Sequence, residues 1–399
     1  MIKIPLNEST FSDEEIQAAI EVVKSQRLTM GDECLKFEKQ FAHYLGVKHA
    51  VMVNSGSSAN LLAFFALTNP LFAEMSSCNV LCPGDEVIVT ALTWSTTIWP
   101  IIQVGCIPVF VDCNVKTLQV DVSEIERAIT PKTKAICLVH VLGNAAPVEE
   151  IRKIAKKNNL WLIEDACESL GVSRNGKYVG TFGDIGSFSF FFSHHITTIE
   201  GGMVVTNDDI LADVFRSMRA HGWTRHMHRK SEIEAQHQDI DPRFLFVTPG
   251  FNLRPTEINA VIGRIQLRKL AAFNQRRNII AATWSSAFND LIASEKMKPM
   301  QIVENTNPAW FGYPVLFQTE KVKKSIKNHL EANGVETRPI ICGNMARQPA
   351  CKYFKYRIHN NLSNADRIMS CGLYWGLHPV MTQAQVSYLV SVIMEYFKK

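Results

Sequence analysis

A chain of 399 residues that is 46% hydrophobic and 20% charged has the composition of a globular protein with a large buried core, and its length predicts one large and one small domain. A formal charge of +4 carried by scattered Lys and Arg leaves no footprint for nucleic acid and no polybasic membrane segment. The opening MIKIPLNESTFSDEE lacks the apolar run of a signal peptide, and no later run has the length of a membrane span, so a cytoplasmic enzyme is expected.

Residues 12–15 form a capping-box pattern, which Ile16, Ile20 and Val23 continue at helical spacing up to a loop at 28–31. A second helix is expected over 33–45, closed by Gly46, and then a strand at His49–Val53. NSGSSANLLAFFAL follows at 54–67, a small-residue turn opening a helix. Free N–H groups and the positive end of the helix dipole make such a turn a phosphate site, with Ser57 and Ser58 as further donors. The same strand–turn–helix pattern also opens any α/β crossover.

Strands are then expected at Glu86–Thr90, 107–112, 135–142 and 160–164, with helices at Val122–Ala128 and 148–158 between them. That alternation predicts a mostly parallel sheet covered on both faces, whose catalytic groups lie in the loops beyond the strand ends. Those loops are ALTWSTT (91–97), EDACESLG (164–171) and SHHITTIEGG (193–202). The last lies between a strand expected at 187–192 and another at 203–206, entered through Gly201 and Gly202. Its adjacent His194 and His195 are poorly placed for packing and well placed for chemistry, although histidines beside a strand also serve as hydrogen-bonded structural groups.

An ionised Asp165 directly after its strand is costly to bury without a cationic partner. A protonated pyridine nitrogen would supply one, Trp94 offers a face for stacking on a ring, and the Ser57/Ser58 turn offers a phosphate anchor. Ring, nitrogen and phosphate together describe pyridoxal phosphate. The simpler alternatives are a helix N-cap for Asp165 and a core aromatic for Trp94.

Further on, His221, His226, His228 and His237 have a spacing that fits no zinc pattern and read as a solvated loop or part of a lid. A long helical stretch at 264–293, the segment 310–317, a helix at 322–333 and a last helix opened by a capping box at 382–385 read as the smaller α/β domain. The domain boundary is therefore placed between 1–263 and 264–399. Arg338 or Arg347 is a candidate for a diphosphate or a carboxylate, against surface ion pairing as the alternative. The ten cysteines are dispersed without CxxC pairs and read as reduced, mostly buried thiols.

The series NSGSSAN, TWSTT, EDACESLG, SFSFFFSHHITTIEGG and GFNLRPTEINAVIG resembles the DegT/DnrJ/EryC1/StrS sugar aminotransferase superfamily over nearly the whole chain. The resemblance implies the aspartate-aminotransferase-like fold of fold type I pyridoxal phosphate enzymes: a large mixed, mostly parallel sheet flanked by helices, plus a smaller C-terminal domain. It implies Asp165 on the pyridine nitrogen, Trp94 stacked on the ring, and Glu168 near the ring hydroxyl, where most relatives have Gln. It also implies a phosphate held by Gly56, Ser57 and Ser189 and by Asn252 of a second subunit, so that the active site is shared in a homodimer.

One departure bears on function. Aminotransferases of the superfamily carry a lysine where this chain has His194, and an imidazole moves protons but cannot hold the cofactor covalently. HHIT followed by EGG, together with NPAWFGYPV and TRPIICGNMARQP, resembles a sub-family of nucleotide-sugar 3-dehydratases of deoxysugar and O-antigen biosynthesis. These use pyridoxamine phosphate to remove the C3 hydroxyl of a 4-keto-6-deoxyhexose, with His194 as acid and base and glutamate regenerating the cofactor. Relatives with an iron–sulfur cluster carry a cysteine-rich segment where residues 219–238 here contain no cysteine, so no cluster is expected. His195 is expected to orient His194 or touch the substrate. The alternatives are a sugar aminotransferase that tolerates histidine and a catalytically silent binding relative.

Overall fold

The computed structural model describes residues 2–76 and 78–398. Its centre is an eight-stranded sheet in the spatial order His49–Val53, Gly202–Thr206, Ile185–Ser189, Trp161–Asp165, Thr133–Val139, Glu86–Thr90, Ile107–Val111 and Arg357–Ile358. Gly202–Thr206 runs against both of its neighbours, and the remaining pairs in the sheet are parallel. The interior strands read as unbroken apolar runs because both of their faces are covered. Ile88, Val109, Ile136 and Leu162 meet Ile125, Ile151 and Ile154 of the helices Val122–Ala128 and Val148–Lys157 on one face. Val87, Val89, Phe110 and Ile163 face the opposite way into the core that holds the helices Gly56–Leu67 and Ser95–Gln103.

Three elements differ from expectation in ways that shape the site. The strand expected at 187–192 lies at Ile185–Ser189, because its antiparallel partner ends at the Ser189–Gly202 pair. Beyond that point Phe190 turns into an aromatic cluster, 5.4 Å from both Phe37 and Phe41, and Phe191 and Phe192 are left exposed. The strand expected to reach residue 142 stops at Val139, and Val141–Gly143 forms a tight turn with Leu142 at φ 52 and Gly143 at φ 84. The long helix begins at Glu257, capped by Thr256, and continues to Ala287. It therefore runs straight through the boundary drawn at residues 263 and 264.

The C-terminal part carries an antiparallel four-stranded sheet, Met297–Pro299, Gly312–Phe317, Gly372–Gly376 and Thr337–Arg338, backed by the helices Glu320–Ala332 and Gln383–Lys398. Among the described residues no helix is long and apolar enough to cross a membrane.

Candidate active site

A cavity of about 380 Å³ opens at the carboxyl ends of the parallel strands, lined by the loops that follow them. On one side is the N-terminus of the helix Gly56–Leu67, whose first turn is closed by Ser55 Oγ accepting the Ser58 N–H at 3.1 Å. Two glycines let this turn approach the neighbouring strands. A Cβ on Gly56 would stand 2.4 Å from Ser189 Cβ, and one on Gly202 would stand 2.3 Å from the Ser55 carbonyl oxygen. Gly56, Ser57 and Ser189 consequently face the cavity together. Ser58 does not line it, since its hydroxyl donates to Asn54 Oδ1 at 2.6 Å and fixes the turn.

Asp165 is the last residue of its strand and is buried. Its Oδ2 accepts from Asn60 Nδ2 and Thr97 Oγ1, each at 2.8 Å, and its Oδ1 accepts the Cys167 N–H at 3.1 Å. Three donors fix the orientation of the carboxylate, which lines the cavity. Asn60 and Thr97 escaped the sequence reading because each lies within the first turns of its helix, where nothing in the local pattern marks a polar contact to a distant strand. Trp94 stands at the rim with 54% of its surface exposed, a free aromatic face rather than a core residue. Glu168 lines the same wall and accepts the Leu142 N–H at 3.1 Å. Burial, and then the negative charge of Asp165, pushes its carboxyl up to about 7 in spite of that bond.

The turn after Ser189 separates the two histidines. His194 lines the cavity, with its ring edge-on between Phe191, centroids 6.0 Å apart, and Phe311, at 5.1 Å. Its Nδ1 is buried without a partner, so the accessible side of the ring is the one facing the cavity. Burial, and secondarily the charge of Arg277, pushes the imidazole down to about 3, which makes it a neutral proton acceptor at physiological pH. His195 points the other way. It is 1% exposed and its Nε2 donates to the Ala309 carbonyl at 2.7 Å, so it does not reach the space a substrate would occupy; its contact is structural.

The family model for DegT/DnrJ/EryC1/StrS aminotransferases matches residues 9–394. The chain belongs to this family. Among its relatives is a protein of Yersinia pseudotuberculosis named GDP-4-keto-6-deoxy-D-mannose 3-dehydratase, 40% identical over 403 residues and covering 98% of each chain. The Escherichia coli GDP-4-keto-6-deoxy-D-mannose-3-dehydratase with bound hydrated PLP superposes with a TM-score of 0.90 at 38% identity, covering 98% of this chain and 99% of that one. A GDP-4-keto-6-deoxymannose-3-dehydratase structure with a trapped PLP-glutamate geminal diamine superposes equally well, with the same identity and coverage.

The residues present suit the cofactor of this family. A capped helix N-terminus flanked by two hydroxyls fits a phosphate, a buried carboxylate held by three neutral donors fits a pyridinium, and the free face of Trp94 fits the ring between them. Two expectations for the substrate side are met differently. Arg347 is exposed and its guanidinium is committed to Asp366, at 3.0 and 2.8 Å, so it does not line the cavity. Arg338 is exposed at the register position opposite Tyr374, a cavity residue, but does not itself line the cavity, and its Nη1 donates to the Thr337 carbonyl at 2.9 Å. Asn252 lies outside the cavity of its own chain, on the surface, accepting from Arg254 Nε at 2.9 Å. Tyr374 is a cavity residue that carries no motif signal of its own, whereas Phe311 lies within NPAWFGYPV, a stretch whose motif gave its ring no role.

Proposed function

We propose that this protein is a pyridoxal/pyridoxamine phosphate-dependent 3-dehydratase of GDP-4-keto-6-deoxy-D-mannose, with L-glutamate as amino donor, working in deoxysugar synthesis for surface polysaccharide. The observation that carries this reading is the imidazole of His194 facing a cofactor-shaped cavity at the position where an aminating relative needs a lysine amine. The names of the relatives support the substrate, and the glutamate adduct of one of them supports the donor. Their setting in biosynthesis supports a cytoplasmic location.

When bound, the cofactor supplies an amine for the sugar's C4 ketone and an electron sink for the bond changes at C3. Asp165 keeps the proton on the ring nitrogen that such a sink requires. The turn 55–57 and Ser189 would hold the phosphate, with Asn252 of a second subunit completing the anchor in a homodimer. Trp94 covers one face of the ring. Glu168, whose carboxyl is raised to about 7 and so keeps its proton in part of the population at neutral pH, would in that form donate to the ring hydroxyl as the amide of a glutamine would. His194 takes a proton at its cavity-facing side and passes it to the departing C3 hydroxyl, which leaves as water. Glutamate is oxidised to 2-oxoglutarate in restoring the amine, and ammonia is released with the deoxy ketosugar, so the sugar loses one oxygen atom overall.

The test is incubation with pyridoxal phosphate, glutamate and the GDP-, CDP- and dTDP-linked 4-keto-6-deoxyhexoses, followed by mass analysis. A GDP-sugar one oxygen lighter, with 2-oxoglutarate and ammonia, is expected. A stable aminated sugar would refute the reading.

A further inference from the structure

The turn 140–143, which faces Glu168, is strained. Leu142 stands there at φ 52 and ψ 37, a left-handed conformation that a branched side chain rarely adopts, and Gly143 follows at φ 84. Strain of this kind persists only where the surroundings dictate it, and it gathers at functional sites. Here every backbone polar group of residues 142 and 143 is committed. The Leu142 carbonyl accepts the Phe311 N–H at 3.3 Å and the Gly143 carbonyl accepts that of Ala309 at 3.0 Å, which ties the turn to the segment 309–311. The Gly143 N–H donates to Ser169 Oγ at 3.2 Å, and that hydroxyl donates in turn to the His140 carbonyl at 2.7 Å. The Leu142 N–H goes to a side chain of the cavity wall, Glu168 Oε2, at 3.1 Å.

The start of the turn is fixed as firmly. His140 is fully buried, and its N–H donates to the Asp165 carbonyl at 3.0 Å. The Ala146 N–H donates to His140 Nδ1 at 3.1 Å, which places the ring proton on Nε2, the nitrogen that donates to Glu164 Oε2 at 2.9 Å. Glu164 also accepts the N–H groups of Gly180, at 2.8 Å, and of Gly183. Ser169, buried as fully, thus spans the turn from the position next to Glu168 in the chain. Among the described residues nothing donates to Glu168 Oε1, so that oxygen is the one left to the cavity. An Oε2 that accepts an N–H leaves the carboxyl's proton, when it is present, to Oε1.

We propose that Ser169 is a positioning residue for the cofactor's ring hydroxyl: by joining the His140 carbonyl to the Gly143 N–H it holds the turn in the shape that aims the Leu142 N–H at Glu168 Oε2, and so turns Oε1, with the proton, toward the ring. The inference rests on the reading of Glu168 as donor to the ring hydroxyl. Ser169 itself touches neither cofactor nor substrate.

The test follows Glu168 in cofactor-free protein, by NMR of protein labelled at the glutamate carboxyl carbon from about pH 5.5 to about pH 9.5, with the signal identified by its loss in Glu168→Gln. The titratable groups around it are Asp165, Cys167, His194, Glu200 and Tyr374 in the cavity and Cys342, whose thiol senses its charge; all are kept in the variants compared. In the wild type the carboxyl titrates at about 7. In Ser169→Ala the turn loosens, Oε2 loses the N–H that favours its charged form, and the midpoint rises by about one pH unit. Hydrogen exchange of the Leu142 amide gives a second reading that leaves Ser169 in place. Exchange is slow in the wild type and in Glu168→Gln, whose amide oxygen accepts the same N–H, and about tenfold faster or more in Glu168→Ala. An unmoved midpoint in Ser169→Ala would overturn the proposal. So would a Leu142 amide that exchanges equally fast with and without the Glu168 side chain. The visible band of bound pyridoxal phosphate, which follows the ionisation of its ring hydroxyl, should carry a pH step that Glu168→Gln abolishes. Both readings as expected, with a band that is the same in wild type and Glu168→Gln at every pH, would support the hold of Ser169 on Glu168 while refuting the reading of Glu168 as the ring-hydroxyl donor.

Discussion

Acidification from pH 7 to pH 5 is expected to destabilise the cofactor-free protein above the pH range in which ordinary carboxylates protonate. Burial, with the neighbouring Arg277 second, pushes His194 down to about 3, His378 to about 4, and His195 well below its ordinary value. Burial, with Arg219 next, takes His226 to about 4. A histidine whose folded pKa lies below its unfolded value of about 6.5 gains its proton first in the unfolded chain. Its full stability is therefore present above that pH and is lost as the pH falls toward the folded value. Glu168 works in the opposite sense. With its carboxyl raised to about 7, the folded state keeps a proton that the unfolded chain releases, so this group favours folding more as the pH drops below 7. Four histidines against one glutamate leave a net uptake of about three protons on unfolding near pH 5.5. At about 1.4 kcal/mol per proton per pH unit, roughly 4 kcal/mol is lost between pH 6 and pH 5. That is a large part of the roughly 5–15 kcal/mol that holds a domain folded. Urea unfolding followed by circular dichroism at half-unit steps from pH 7.5 to 5 measures it, and His378→Phe should lower the slope by about a third. Stability that is flat from pH 7 to 5 and falls only below 4.5 would refute the account of the buried histidines.

His194→Asn should bind the cofactor nearly as well as the parent, since Asp165, Trp94 and the phosphate turn do the holding, while dehydration falls by about 10²–10⁴-fold; a variant that kept most of its rate would place the base elsewhere. The wild type should lose its cofactor on dialysis and show no covalent label after borohydride, whereas His194→Lys should gain a visible chromophore that borohydride fixes. Gly143→Ala would put a methyl 1.8 Å from the Ala309 carbonyl oxygen at a φ of 84°, which should cost about 3 kcal/mol or more and loosen the 309–311 segment; a melting temperature within a degree of the parent would contradict the geometry. Asn252→Ala should weaken cofactor binding without changing the sedimentation of the protein, and unchanged affinity would argue against a phosphate site completed by a second subunit.

Much of the fold was legible in the sequence, because strands buried on both faces leave contiguous apolar runs and their ends leave turns of Gly, Ser, Asp and Pro. His49–Val53, Glu86–Thr90 and Val122–Ala128 lie where their patterns put them. The boundaries that moved did so for tertiary reasons. The aromatic run SFSFFF has one local character throughout, yet only its first part finds a ladder partner, and Phe190–Phe192 leave the sheet where Gly202–Thr206 ends.

The site divides in the same way. Asp165, His194 and the Ser57/Ser58 turn, at or just beyond strand ends, could be picked out by their chemistry, since such positions often carry function, whereas Gly56, Glu168 and Ser189 were indicated by the family resemblance. The two adjacent histidines are alike in sequence; only the packed structure sends His194 into the cavity and His195 onto the Ala309 carbonyl. Asn60 and Thr97 bind Asp165, and the charge of Arg277 acts on His194, from helices whose spacing records the face they bury and nothing of what lies beyond it. The order of motifs along the chain thus determined the family, the cofactor class and the replacement of lysine by histidine, all of which reside in residue identity. Which groups tune that histidine was decided only by folding, because burial and the field of a charge distant in sequence act through space.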